Sequence, residues 1–175
     1  MRNNLKGVFL SEKEDWRTPI HILHAAFMVM DGIDLDPCDN EKQTPASQHY
    51  DKKDDGLSKE WHGKVFMNPP YGRKASPLWA SKWKKEYEER HIDKGIVLVA
   101  ARTDTAWWRD IASTASIVCF LNGRLHFGDI HGKEETPSTF PSAILYACRD
   151  NIKDIERFSK IFSKYGNIWV KYGIK

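Results

Sequence analysis

Apolar residues along this chain come in short blocks whose period switches between helix and strand. After a polar, weakly patterned stretch over residues 1–14, expected to be a flexible N-terminal arm, Ile20, Leu23, Phe27 and Met30 recur at helical spacing. Thr18-Pro19 stands ahead of them as an N-cap followed by proline at the first helical position. Residues 33–36 read as a short strand ending in the turn Pro37-Cys38-Asp39-Asn40, residues 40–63 as a polar, turn-rich stretch, and 64–67 as a second strand. Ser76-Pro77 opens a helix running to about Arg90, with Trp79, Trp83 and Tyr87 at successive i, i+4 positions; this stripe is expected to be core rather than a stacking platform. The run from Gly95 to Ala101 is unbroken and of strand length, as in a parallel strand buried on both faces, and predicts the centre of the sheet. A helix from about Thr105 to Ser113 follows, then a strand over 115–121, an irregular polar loop, and a strand over 142–148. Asn151 caps a last helix whose Ile152, Ile155, Phe158 and Phe162 face the sheet, before a terminal strand over 168–172.

Alternating strands and helices predict a three-layer α/β fold, and 175 residues at 41% hydrophobic suit one domain over residues 15–175. Ligands in such sheets bind beyond the carboxyl ends of the strands, where Asp36, Asn68 and Ala101-Arg102 fall. A net charge of +3 permits an anionic partner without requiring one. Lys82, Lys84 and Lys85 are interleaved with Glu86, Glu88 and Glu89, as on an ordinary solvated helix face. Cys38, Cys119 and Cys148 are too scattered for a zinc knuckle or a disulfide framework and are expected to be free thiols. No apolar run approaches the roughly 20 residues that span a bilayer, and no apolar secretion signal opens the chain, so a cytoplasmic protein without a membrane partner is expected. The glycine-rich signatures of nicotinamide and nucleoside triphosphate sites are absent. His21 and His24 lie one helical turn apart without an acidic or cysteine partner at ligand spacing, so no metal is expected.

Asn68-Pro69-Pro70-Tyr71 follows directly on the apolar run Val65-Phe66-Met67. Two successive prolines fix φ and donate no N–H, which makes the turn rigid and leaves its carbonyls free. The side-chain oxygen of Asn68 and the carbonyl of Pro69 can accept both hydrogens of an –NH2 group. Tyr71 adds a ring face on which a planar substrate stacks, worth about 1–3 kcal/mol per base in single-stranded sites. The same four residues also serve as a structural Pro-Pro turn with Tyr71 packing, so their surroundings have to decide.

Those surroundings form an ordered series: Asp15-Trp16-Arg17-Thr18-Pro19, Leu35-Asp36-Pro37-Cys38, Asp54-Asp55-Gly56-Leu57 with Trp61, Asn68 to Arg73, Ala101 to Thr105 with Trp107-Trp108, Gly123 to Phe127, and Phe140 to Ala143. In this order and content the chain resembles the small phage-type DNA N-6-adenine methyltransferases (Dam), S-adenosylmethionine-dependent amino-methyltransferases. The resemblance implies a Rossmann-like methyltransferase fold with a mixed sheet, S-adenosylmethionine as methyl donor, double-stranded DNA as partner, and a phage or prophage origin in a bacterial host. It implies that Asn68, Pro69, Pro70 and Tyr71 form the catalytic motif. It further implies that Asp36 binds the amino group of methionine, that Thr18 and Pro19 touch its carboxylate end, and that Trp16, Pro37 and Asp55 line the donor site. Phe140 resembles the aromatic that closes over a flipped base opposite Tyr71, although a core role before a strand is a near equal. Arg73 and Lys74, directly after the motif, are candidates for phosphate, and the loop 122–139 with Arg124, His126, His131 and Lys133 for base edges.

The chain departs from larger relatives on the donor side. Asn68 lies 32 positions after Asp36, too few for two strand–helix units, so a sheet reduced by one or two strands and a partly open donor site are expected. The first loop has no glycine, and no acidic residue is legible after a second strand to hold a ribose. Three functions remain open: methylation of adenine in DNA, the same chemistry on an RNA base or a protein glutamine amide, and an inactive DNA-binding protein on this fold.

Overall fold

In the computed structural model, which describes residues 17–39, 42–128 and 137–171, the unbroken apolar run is the middle strand of a seven-stranded sheet. The elements in chain order are α1 (Ile20–Met30), β1 (Ile33–Asp36), β2 (Ala46–His49), β3 (Gly63–Met67), α2 (Ala75–Glu88), β4 (Ile92–Ala100), α3 (Ala106–Thr114), β5 (Ile117–Leu121), β6 (Ser142–Ala147), α4 (Ile152–Phe162) and β7 (Gly166–Val170). The sheet order is β2-β1-β3-β4-β6-β5-β7. Strands β1 to β4 are parallel neighbours, while β6 runs against both β4 and β5, and β7 against β5. The sheet is therefore mixed, with its parallel half at the N-terminal side.

Side-chain alternation along β4 divides the core into two layers. Ile96, Leu98 and Ala100 pack with α1 and α4, whereas Val97 and Val99 pack with α2 and α3. Trp79, Trp83 and Tyr87 lie in the second layer, as a core stripe, with Trp83 donating from Nε1 to Thr114 Oγ1 at 2.9 Å. The described structure is a three-layer α/β fold of Rossmann-like form.

Five expectations are corrected. The polar stretch 40–63 contains a strand, β2, which pairs in parallel with β1 although the described residues between them, 37–39 and 42–45, form no helix. The shortening thus falls on the connecting helices of this half, and the sheet still carries seven strands. Short polar strands such as Ala46-Ser47-Gln48-His49 escape periodicity because they are partly exposed and rely on the neighbouring strand for their order. In α1 the buried residues are Ile22, Leu23, Ala25, Ala26, Val29 and Met30, while Ile20 and Phe27 are exposed. That helix is apolar almost all round, so the largest side chains did not mark its inner face; the exposed His21 and His24 mark the outer one. Ile152, in the first turn of α4, is likewise exposed, leaving Phe158 and Phe162 to bury the helix. Lastly, α1 begins after Pro19, which stands at the cap position, and no side chain caps it. The Thr18 hydroxyl that local rules assign to capping is used elsewhere.

The motif Asp54-Asp55-Gly56-Leu57 with Trp61 also has a structural cause. A Cβ on Gly56 would stand 1.9 Å from the Pro37 carbonyl oxygen, so only glycine lets this loop lie on the turn after β1. Trp61, 2% exposed, donates from Nε1 to the Gly56 carbonyl at 2.8 Å and pins the loop there. The expected arm 1–14, Trp16, Asn40, His131, Lys133 and Tyr172 lie outside the described residues.

Candidate active site

Because β1, β3 and β4 are parallel, Asp36, Asn68 and Ala101 arrive at one edge of the sheet. The Ala101 N–H donates to the Pro141 carbonyl at 2.8 Å, which brings Phe140 to the same edge. Thr18 comes from before α1: its hydroxyl accepts from Asn68 Nδ2 at 2.9 Å, across fifty residues of sequence. Gln43 Nε2 donates to the Thr18 carbonyl at 2.7 Å and holds that segment in place. On the other side of the amide, the Tyr71 hydroxyl donates to Asn68 Oδ1 at 2.8 Å and lies 3.3 Å from the Leu98 carbonyl. The Cys38 thiol donates to the Asn68 main-chain carbonyl at 3.3 Å, and burial together with Asp36 pushes that thiol well up, so it stays protonated. Asn68 is thus held from three directions.

Tyr71 stands edge-on to Phe140 with ring centroids 5.1 Å apart and to Phe127 at 6.1 Å. Phe140 is 7% exposed and belongs to the core cluster shared with Phe127. A base stacked between two parallel rings needs about 7 Å, twice the ~3.4 Å stacking distance, so the pair is closed in this structure. Burial raises the Tyr71 phenol far above its ordinary range, so it remains a hydrogen-bond donor.

Asp36 makes the opposite kind of corner. It is 4% exposed, accepts from the Cys38 N–H at 3.0 Å and from the Thr44 hydroxyl, and is raised to about 7 by burial and then by the charge of Asp39. Asp39 accepts from the Thr44 N–H at 2.6 Å and pairs with His49 Nδ1 at 3.1 Å. Thr44 and Gln43 were missed from sequence because they lie in a stretch with no periodicity. Two buried acids acting on one another favour a cationic ligand, which would relieve both the burial and the repulsion.

Pro37 and Pro69 are buried and Pro70 half-buried, while Asp55 is exposed with φ at 54°, beside the Gly56 contact to Pro37. Asp51 lies two residues beyond β2; its Oδ1 accepts from the Lys53 and Asp54 N–H groups at 2.6 and 3.1 Å, which hold its carboxyl below the usual range. Arg73 and Lys74 are exposed at the entrance to α2, and Arg124 is exposed on the loop after β5. His21 and His24 are exposed on α1. Among the described residues the one cluster with metal-ligand spacing is Glu86, Glu89 and His91, where Glu86 is already engaged by Lys82 and by His91 at 2.8 Å. The three cysteines are free. No helix among the described residues is long and apolar enough to cross a membrane.

A mixed α/β sheet that gathers an Asn-Pro-Pro-Tyr turn and a buried acid at the ends of its parallel strands is the architecture of a Rossmann-like methyltransferase. The chain matches the family model for DNA N-6-adenine-methyltransferase (Dam) over residues 7–167, and it belongs to that family. No curated protein sequence matches it significantly.

Proposed function

We propose that this protein transfers a methyl group from S-adenosylmethionine to the exocyclic amine of an adenine turned out of duplex DNA: the N–C bond forms as the C–S bond breaks, sulfur keeps the electron pair as a neutral thioether, and the amine releases one proton to solvent. The observation that carries this reading is the Thr18–Asn68–Tyr71 chain of hydrogen bonds beside the buried carboxyl of Asp36. The donor set fits the cofactor: Asp36 would hold its ammonium, with Thr18, Pro19, Pro37 and Asp55 along the same edge, and Trp16, outside the described residues, as a further neighbour. When bound, the cofactor supplies a methyl on a positively charged sulfur, already a strong electrophile.

The chain's own residues then have to orient a poor nucleophile. The adenine amine delocalises its lone pair into the ring, and hydrogen bonds to Asn68 Oδ1 and the Pro69 carbonyl favour a more tetrahedral nitrogen. Holding that nitrogen in line supplies the orientational part of catalysis. Tyr71 and Phe140 part to admit the base, and a ring face of Tyr71 replaces its edge contact. In parting, Tyr71 withdraws its hydroxyl from Asn68 Oδ1 and frees that acceptor for the amine. Pro70 keeps the turn rigid, and the exposed Arg73 and Lys74 meet phosphate.

Incubation with labelled S-adenosylmethionine and unmodified duplex DNA, followed by digestion to nucleosides, tests the reading. Label on adenine is the expected result. Label on RNA or protein alone moves the substrate, and no transfer together with no cofactor binding overturns the enzyme.

A further inference from the structure

The loop after β5 folds with an alternation of two. Leu125 and Phe127 are buried, so Arg124 and His126 are turned outward. Two main-chain bonds pin it: the Gly128 N–H donates to the Arg17 carbonyl at 3.2 Å and the Ser138 N–H to the Leu125 carbonyl at 3.0 Å. The loop is thereby held beside the start of α1, and between them opens a cleft of about 850 Å³. Arg17, Lys42 and Arg124 line it, with His21 and His126, and no Asp or Glu is among its described lining residues. In a chain whose 27 basic and 24 acidic side chains nearly balance, three cationic side chains around a cleft whose described lining holds no acid are a local excess of positive charge. The first N–H groups of α1 add the positive end of a helix to the same wall.

Thr18 joins this cleft to the candidate active site. It lines the cleft, while its hydroxyl accepts from Asn68. We propose that the cleft binds backbone phosphates of duplex DNA next to the target adenine, so that a strand seated on Arg17, Lys42 and Arg124 passes its extruded base across Thr18 to Asn68. This inference rests on the reading of duplex DNA as substrate. It assigns the cleft to positioning rather than to base reading, because guanidinium and ammonium contacts to phosphate carry no sequence information.

The test is the salt dependence of binding, measured by fluorescence anisotropy of the full chain on labelled mixed-sequence duplexes. The triple variant Arg17→Ala, Lys42→Ala, Arg124→Ala is expected to flatten the slope of log affinity against log salt by about 2 to 3, about 0.9 per lost phosphate contact, and equally for every sequence. A control that removes three cations from α2 and its end, Lys84→Ala, Lys85→Ala, Arg90→Ala, is expected to change the slope by less than one. Equal flattening in both variants, or an unchanged slope in the first, overturns the cleft. So does a triple variant that loses S-adenosylmethionine affinity while keeping the wild-type DNA slope, and so does a slope effect confined to RNA. Wild-type protein that binds duplexes with the expected slopes but transfers no methyl group would remove the proposed activity and leave the cleft standing. Adenine methylation with an unchanged slope in the triple variant would do the reverse.

Discussion

Two corners of the same sheet edge solve opposite problems. Around Asn68 stand neutral groups: a threonine hydroxyl, a tyrosine hydroxyl, a thiol on its carbonyl, and aromatic rings closing over the turn. Around Asp36 two carboxyls are buried together, and one is raised to about 7. The first corner is comfortable without a ligand and has to be opened. The second is uncomfortable without one and is relieved by a cation. On the proposed reading this difference implies an ordering: a cationic methyl donor would gain most from the corner where buried carboxyls repel, and the base would enter by displacing contacts that stabilise the empty protein.

Removing the neutral corner's central group should have the largest effect. Asn68→Ala deletes the acceptor for the amine and is expected to lower kcat by about 100- to 1000-fold, the range seen when a preorganised hydrogen-bonding group is lost. Because Asn68 is half-buried on a turn rather than in the core, the melting temperature should stay within a few degrees. Single-turnover methylation and a thermal melt check both statements, and near-wild-type turnover would take Asn68 out of the mechanism.

The charged corner gives a smaller loss and a gain of opposite sign. Folded Asp36 holds its proton to about pH 7 against an ordinary value of 3.8. Between pH 4 and 7 the unfolded chain is ionised there and the folded chain is not, so this residue's cost to stability builds up as pH rises through that window and is constant above it. Asp36→Asn is therefore expected to raise stability by about 1–4 kcal/mol above pH 7, with little gain at pH 4. The same variant should bind S-adenosylmethionine about 10- to 100-fold more weakly at pH 8. In the wild type, affinity should climb with pH up to about 7 and then level off, as the carboxyl ionises to meet a cation. Chemical denaturation and calorimetric titration across pH 5–8 check the pair of effects; an Asp36→Asn variant less stable than wild type at pH 8 would remove the contrast between the corners.

The two corners were also unequally legible in the sequence. Asn68 to Tyr71 are contiguous and follow an apolar strand, so their place at a sheet edge could be read directly. The central strand, the aromatic core stripe of α2 and the order of helices and strands from residue 63 onward were legible for the same reason: burial there is strong enough to impose a period. On the donor side, Asp36 was legible but its environment was not. Thr44, Gln43 and Asp51 owe their places to β2, a four-residue polar strand that exists because β1 offers it a pairing edge. The inner face of α1 was misread because a helix apolar on nearly every side carries no phase. Thr18 looked like a helix cap, and its real partner lies fifty residues away in sequence.

That last misreading leads to the smallest and most discriminating effect. Thr105 and Asn151 cap α3 and α4 with their side chains, as the local rules require, whereas Thr18 leaves α1 uncapped and turns its hydroxyl to Asn68. A forgone cap of this kind is worth about 1 kcal/mol, and its diversion toward the amide suggests the sort of local conflict that marks functional sites. If Thr18 positions Asn68, Thr18→Val removes the acceptor for Nδ2 at nearly constant volume and should lower kcat about tenfold with little change in KM for S-adenosylmethionine. Thr18→Ser keeps the hydroxyl and should recover most of the rate. If Thr18 instead serves chiefly to touch the donor's carboxylate end, Thr18→Val should raise KM for the donor and leave kcat near wild type. Steady-state kinetics on the two variants separate these outcomes, and the second would assign Thr18 to the donor corner.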